Sequence, residues 1–110
     1  MIIELLDKNK KIITLKSIDE IPKDLTNVNS VQVINYNNKD IAAFEKLFEI
    51  DTTILNNSDD IEISSHYLEK ENQLAFNFSF PYFTHKNKIE EIIVSFILTE
   101  RIMFSFMDIN

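Results

Sequence analysis

Two histidines, His66 and His85, are the residues of this chain best suited to acid–base chemistry near neutral pH. Neither takes part in an H-x-x-x-H or H-E-x-x-H spacing, which would place two metal-binding groups on one helix face. His66 precedes Tyr67 in a predicted strand, and His85 lies in a polar predicted turn. A hydrolase that pairs one histidine with an acidic partner remains an alternative. We expect instead that both are structural or surface side chains and that the chain is not an enzyme.

The densest acidic cluster, Asp59-Asp60-Ile61-Glu62, follows Asn56 and Asn57. Oxygen-rich side chains on a loop are the ligands that Mg²⁺ prefers, usually with several retained waters. The commoner interpretation of such a cluster is a solvated helix end. An EF-hand is excluded, because its loop needs a central glycine and the chain has none.

The composition removes several other classes of site. Without cysteine there can be no disulfide, thiol nucleophile or Cys-ligated zinc. Without glycine, phosphate loops, dinucleotide fingerprints and nucleophile elbows cannot exist in their usual form. A net charge of −7 repels phosphate backbones, so we expect no nucleic-acid partner, and it also disfavours an anionic membrane surface.

The spacing of apolar residues predicts seven strands and two helices. Alternating or β-branched runs between turn-forming residues indicate strands. The predicted strands are Met1 to Leu6, Lys11 to Lys16, Ser30 to Asn35, Ile61 to Glu69, Gln73 to Phe80, Ile89 to Thr99 and Ile102 to Met107.

A helix is predicted to begin near Lys39, with Asn37 or Asn38 as its N-cap. Its apolar positions recur at helical spacing and indicate one buried face. These positions are Ile41, Phe44, Leu47 and Phe48. A second, shorter helix containing Ile54 and Leu55 is predicted to follow, capped by Asp51 or Thr52.

Aromatic residues alternate along the strand Gln73 to Phe80 and continue beyond it. They could form a stacking platform for a ligand, but their alternation favours a core face. The residues on the predicted core face are Leu74, Phe76, Phe78 and Phe80, and Tyr82 and Phe83 follow.

These elements predict an α+β fold, with two layers of helix and sheet. The sheet would be mostly antiparallel or mixed, with about 6–7 strands, and two helices between strands 3 and 4 would pack on it. The 110 residues fit one domain, 1–110. The longest nearly apolar run, Ile92 to Leu98, is far shorter than a membrane helix requires, so we expect the fragment to be soluble.

An ordered series of weak motifs between Val31 and Phe106 resembles the cytoplasmic N-terminal domain of the CorA family of divalent-cation transporters. Each motif is similar to a family strand or helix end. The segments are Val33-Ile34-Asn35, Leu47-Phe48-Glu49-Ile50, Asp51 to Asn57, Tyr67 with Leu74 to Phe78, Ile93 to Thr99, and Met103 to Phe106. The family's pore helices and Gly-Met-Asn signature are not among the 110 residues.

The resemblance implies a non-catalytic regulatory and assembly domain of a Mg²⁺/Co²⁺ transporter. Such a domain would contact other subunits and the stalk and membrane helices of its parent, on the cytoplasmic face of the membrane, without touching the membrane itself. No organic cofactor is implied.

The resemblance also implies a weak regulatory Mg²⁺ site at a subunit interface. Asn56-Asn57 stand where the family has Glu-Asp, and the Asp of that pair contributes to the site in relatives. Asn57 offers a carbonyl oxygen without charge, and Asp59 or Asp60 would supply the charge, so the candidate metal residues are Asn57, Asp59 and Asp60. The alternative function is a free-standing protein- or ligand-binding α+β domain with no transport role.

Overall fold

A computed structural model describes residues 1–57, 66–68 and 73–109, with the side chains of 56, 57 and 66–68 left undescribed. One α-helix and seven strands form the described fold. The strands are β1 (Ile2–Asp7), β2 (Ile12–Leu15), β3 (Val28–Ile34), β4 (His66–Leu68), β5 (Gln73–Phe83), β6 (Ile89–Leu98) and β7 (Met103–Met107). The helix α1 spans Asn38–Phe48, and short 3-10 helices cover Ile18–Glu20 and Thr53–Asn57.

The seven strands form one mixed sheet in the order β2-β1-β3-β7-β6-β5-β4. β3 and β7 pair in parallel through Val31 opposite Phe104 and Val33 opposite Phe106, and the other pairs are antiparallel. The predicted class, α+β with a mixed sheet, is therefore confirmed in its coarse form.

Helix α1 begins where the sequence predicted, because Asn37 and Asp40 cap each other's backbone. The Asn37 side chain accepts from the Asp40 amide at 2.9 Å, and the Asp40 carboxylate accepts from the Asn37 amide at 3.0 Å. This capping box satisfies two amides that have no partner inside the helix. Leu47 departs from the predicted buried face, since 49% of its surface is exposed.

The predicted second α-helix is wrong: the chain forms a five-residue 3-10 helix at Thr53–Asn57. So short a segment gains too few i→i+4 hydrogen bonds to repay helix nucleation. Ile54 and Leu55 are nevertheless buried in the core, as an apolar helix face there would have been.

The core lies between one face of the sheet and the layer formed by α1 and the segment after it. Ile3, Leu5, Val31 and Val33 contribute from β1 and β3. Phe104 and Phe106 of β7 meet Phe44 and Phe48 of α1 in edge-to-face ring contacts, with centroids 4.9 Å apart for Phe48–Phe104 and 5.8 Å apart for Phe44–Phe106. We call this the helix side of the sheet.

Turns without glycine use other residues in the left-handed backbone region. Asn35 and Asn87 take positive φ values of 57° and 56°, as expected for a residue type that tolerates them. Lys10 and Glu49 do so as well, at 63° and 55°. Positive φ in these glycine-free turns is therefore not confined to asparagine.

β5 and β6 extend beyond their neighbours as a two-stranded arm. β7 pairs with β6 only at Val94–Leu98, whereas β5 and β6 pair as far as Phe83 and Ile89. Pro81 is accommodated within the arm because its ring nitrogen, which cannot donate, lies at a position that does not face β6. Among the described residues, no helix is long and apolar enough to cross a membrane.

Candidate interaction surface

The face of the sheet opposite α1 has no described helix over it, and we call it the uncovered face. Strand pairing places alternate residues of β1, β3, β7, β6 and β5 on this face. Several large apolar side chains there are substantially exposed. They are Ile2 at 40%, Leu6 at 37%, Met103 at 40%, Phe78 at 43% and Phe80 at 44%. Large exposed apolar side chains gathered on one face of a sheet typically mark an interaction site.

Polar residues of β5 explain which of its faces turns towards the core. Gln73, Ala75 and Asn77 lie on the helix side and are buried. The Gln73 side chain pairs with the backbone of Asp51 as another peptide group would. Its oxygen accepts from the Asp51 amide at 2.9 Å, and its nitrogen donates to the Asp51 carbonyl at 2.7 Å.

Asn77 makes the second polar connection on the helix side. Its nitrogen donates to the Ile54 carbonyl at 3.4 Å, and its oxygen accepts from the Ser95 hydroxyl at 2.6 Å. Together Gln73 and Asn77 hold the segment of Asp51 to Leu55 against the sheet. They satisfy backbone groups that would be costly to bury alone.

The prediction that Leu74, Phe76, Phe78 and Phe80 form a core face is therefore wrong. None of the four belongs to the core cluster, and the phenyl rings of Phe78 and Phe80 lie 5.3 Å apart on the uncovered face. Phe76 stacks on Phe96 of β6 at 5.1 Å, also on this face. The alternation correctly identified a shared face, but the buried face is the one with small and polar side chains.

A shallow concavity of about 400 Å³ lies at the centre of the uncovered face. Its lining comes from four strands: Ser30, Gln32, Phe80, Ile92, Val94, Phe96, Met103, Ser105 and Met107. The Gln32 side-chain amide contacts the Met107 sulfur at 3.7 Å. No lining side chain is titratable, so the concavity is suited to apolar contact and a few hydrogen bonds rather than to proton transfer.

Sequence reasoning missed the part of the uncovered face contributed by β7. The alternation of Met103, Ser105 and Met107 with Phe104 and Phe106 carried the signal. Methionine is flexible and polarisable, and it adapts to partners of different shape.

The sequence-predicted chemical residues do not come together in the described part of the chain. His85 is exposed in the turn at the tip of the arm, and His66 is described only as backbone in β4. Asn57 is the last residue of the second 3-10 helix, while Asp59 and Asp60 lie outside the described residues. Within residues 1–57, 66–68 and 73–109, no group of three or more metal-ligating side chains is found.

Among the described residues, three side chains have a shifted pKa, each with a local cause. Burial, with a smaller contribution from the Asp108 charge, raises the pKa of Tyr36. The hydrogen bond from Tyr82 to Glu90, 2.6 Å long, raises the pKa of that exposed phenol. Hydrogen bonds from the Thr26 hydroxyl and amide lower the pKa of the Asp24 carboxyl. None of these groups lines the concavity, so they do not indicate a catalytic site.

Comparison with known proteins yields a fold match without a sequence match. No family model matches the chain, and no curated protein matches it. Among solved structures, the chain is similar to the CorA magnesium transporter from Methanocaldococcus jannaschii, with a TM-score of 0.65 and 12% sequence identity. The match covers 100% of this chain and 33% of the transporter, so the chain spans about a third of its length. At this identity the likeness shows a CorA-like fold.

Proposed function

We propose that this chain is a non-catalytic regulatory and assembly domain of a CorA-like Mg²⁺/Co²⁺ transporter. The observation that carries the proposal is the fold match along the whole chain to one third of a CorA magnesium transporter. The ordered motifs from Val31 to Phe106 are independent support, because they resemble the N-terminal domain of that family.

The uncovered face supports the assembly part of this proposal. The sheet packs one face on a helix, while its other face exposes Phe and Met side chains to water. Exposure of this apolar surface costs free energy, and a second layer over that face would remove the cost. We propose that the stalk and membrane helices of the parent protein, or its other subunits, supply that layer. The domain would then lie on the cytoplasmic side of the membrane and make no direct membrane contact.

Regulation would come from Mg²⁺ bound weakly between subunits by Asn57, Asp59 or Asp60. A ligand biases a conformational equilibrium only if it binds one state better than the other. An interfacial site has this property, because its second half exists only in the assembled state. Calorimetry that detected tight binding of Mg²⁺ to the monomeric chain would contradict this arrangement.

The reading frame that encodes these residues provides the direct test. We expect it to continue into a long helical stretch and then two apolar segments of about 20 residues each, joined by a Gly-Met-Asn loop. A membrane protein purified from that frame should transport Mg²⁺ in liposomes. A frame that encodes no apolar segment would contradict the transporter proposal.

The second candidate function is a free-standing binding domain, and the uncovered face is the observation that favours it. In that case the Met- and Phe-rich concavity would bind a separate partner. The two functions differ in where the covering layer is encoded. It lies in the same reading frame for a transporter domain and in another gene for a binding domain.

A further inference from the structure

We propose that copies of this chain join by strand addition, with the outer edge of β2 in one copy pairing with the outer edge of the β6 arm in the next. This inference rests on the assembly role proposed above and names the contacts that would carry it. It concerns the outer edge of β2 and the part of the β6 edge that lies beyond β7, not the centre of the uncovered face.

At the outer edge of β2, two residues direct their backbone amide and carbonyl groups away from the sheet. The Asp7 amide donates to the Lys11 carbonyl at 3.0 Å, and mutually bonded pairs recur every second residue in antiparallel strands. Residues 13 and 15 therefore direct their backbone groups at β1, whereas Ile12 and Thr14 direct theirs away from the sheet. The next residue in this outward-facing series is Lys16, and its amide already donates to the Glu20 carboxylate at 3.2 Å.

On the outer edge of β6 in the arm, alternate residues also direct their backbone groups away from the sheet. The Thr84 amide donates to the Lys88 carbonyl at 2.9 Å, so residues 88, 90 and 92 direct their backbone groups at β5. Ile89 and Glu91 consequently direct theirs outward, on a side where the described part of β7 does not reach. Two outward residues on each edge allow about four main-chain hydrogen bonds in an antiparallel ladder.

Both edges carry exposed apolar side chains that pairing would cover. Ile12 on β2 is 65% exposed, and Ile89 on the arm is 66% exposed. An exposed strand edge with large apolar residues is a template for pairing unless charges prevent it.

Charge selects a second copy as the partner and sets its direction. β2 is preceded by Lys10 and Lys11, whereas the arm edge carries Glu90 and Glu91. Antiparallel pairing of Ile12 with Glu91 places Lys11 diagonally across from Glu90 and Lys10 diagonally across from Glu91, within reach of these long side chains. Parallel pairing would bring Lys11 to Lys88 instead, and β2 against β2 would bring lysines together. Opposite charges thus favour the antiparallel orientation, and the outward-facing backbone groups set the register.

The contact joins two different surfaces, so it is heterologous. Such contacts close into a ring when the rotation between copies permits and otherwise extend as a chain. Each copy keeps its uncovered face available for the layer proposed above.

Charge reversal tests the pairing in the 110-residue chain. Analytical ultracentrifugation should show concentration-dependent assembly of the unaltered chain. Either K10E/K11E or E90K/E91K should weaken assembly about tenfold, because each makes the two edges alike in charge. An equimolar mixture of the two variants should recover assembly, since each supplies the charge that the other needs. The matched control is Lys46→Glu on α1, which should leave assembly unchanged.

A backbone variant separates strand addition from simple charge attraction. Thr14→Pro removes one outward amide while leaving the bonds to β1, so it should abolish assembly and preserve the circular dichroism spectrum. A monomer at every concentration, or variants that assemble like the unaltered chain, would overturn the inference. So would loss of assembly on Met103→Lys alone, because that result assigns the contact to the uncovered face. None of these outcomes bears on the reading-frame test.

Discussion

Truncation of two phenylalanines on opposite faces of the sheet gives a sharp contrast in stability. Phe104 lies on the helix side, is 1% exposed, and contacts the Phe48 ring at 4.9 Å. Phe78 lies on the uncovered face and is 43% exposed. The sequence pattern alone assigns Phe78 to the core, so it predicts a large loss of stability when Phe78 is truncated, whereas the structure predicts a small one.

The structure sets the size of the contrast. Removal of a fully buried Phe to Ala loses its transfer free energy and leaves a cavity, at about 3–5 kcal/mol. Full burial of a Phe side chain is worth about 1.5–3 kcal/mol by transfer alone. Phe78 is little more than half buried and lies on an open face. Its truncation therefore loses about half of that transfer free energy and leaves no closed cavity, so Phe78→Ala should cost about 1 kcal/mol.

Urea denaturation, followed by far-ultraviolet circular dichroism, measures both free energies of unfolding. Phe104→Ala should lower the value at least twice as much as Phe78→Ala, with no change in the denaturant slope for Phe78→Ala. Sedimentation measurements at the same protein concentrations would detect any association of the variants through the uncovered face. Equal losses in the two variants would refute the assignment of faces.

Three further changes test separate parts of the structure. Asn77→Ala should destabilise the fold by about 1–3 kcal/mol, because it leaves the buried Ser95 hydroxyl and the Ile54 carbonyl without their partner, while Ser79→Ala should cost under about 0.5 kcal/mol in the same urea titration. Burial raises the pKa of Tyr36, so its contribution is fully present below the unfolded pKa near 10 and is lost as pH rises through the folded value. Urea midpoints measured from pH 8 to 11 should therefore fall less steeply in Tyr36→Phe, and parallel profiles would contradict the burial. Calorimetry should detect only weak Mg²⁺ binding to the monomer, reduced further by joint Asp59→Asn and Asp60→Asn substitution, and tight binding or no change would count against those residues.

Local chemistry made part of the fold predictable. The capping box of Asn37 and Asp40 involves residues three apart, so the sequence alone indicates the start of α1. The hairpins β1–β2 and β5–β6 are predictable for the same reason, because strand and turn signals follow each other closely along the chain.

Decisions that depend on distant residues could not be read from the same patterns. β5 alternates between an aromatic face and a face of Gln73, Ala75, Asn77 and Ser79. Periodicity separates the two faces but does not say which one the segment of Asp51 to Leu55 will cover. That choice depends on hydrogen bonds from Gln73 and Asn77 to backbone more than 20 residues earlier.

The geometry of the candidate metal site could not be predicted from the sequence, for a different reason. An interfacial site depends on groups from another subunit, and no pattern within one chain supplies their positions. Asp59 and Asp60 lie outside the described residues, so their assignment stays a prediction that rests on the resemblance.

Cysteine accessibility tests the central claim, that the uncovered face is an assembly surface. The chain has no cysteine, so Met103→Cys and a control, Lys46→Cys on α1, each introduce a single reactive thiol. Maleimide labelling rates would be compared between the 110-residue chain and the complete product of its reading frame. We predict that the rate at position 103 falls about tenfold or more in the complete protein while the control rate is unchanged. Equal rates at position 103 in the two proteins would contradict it.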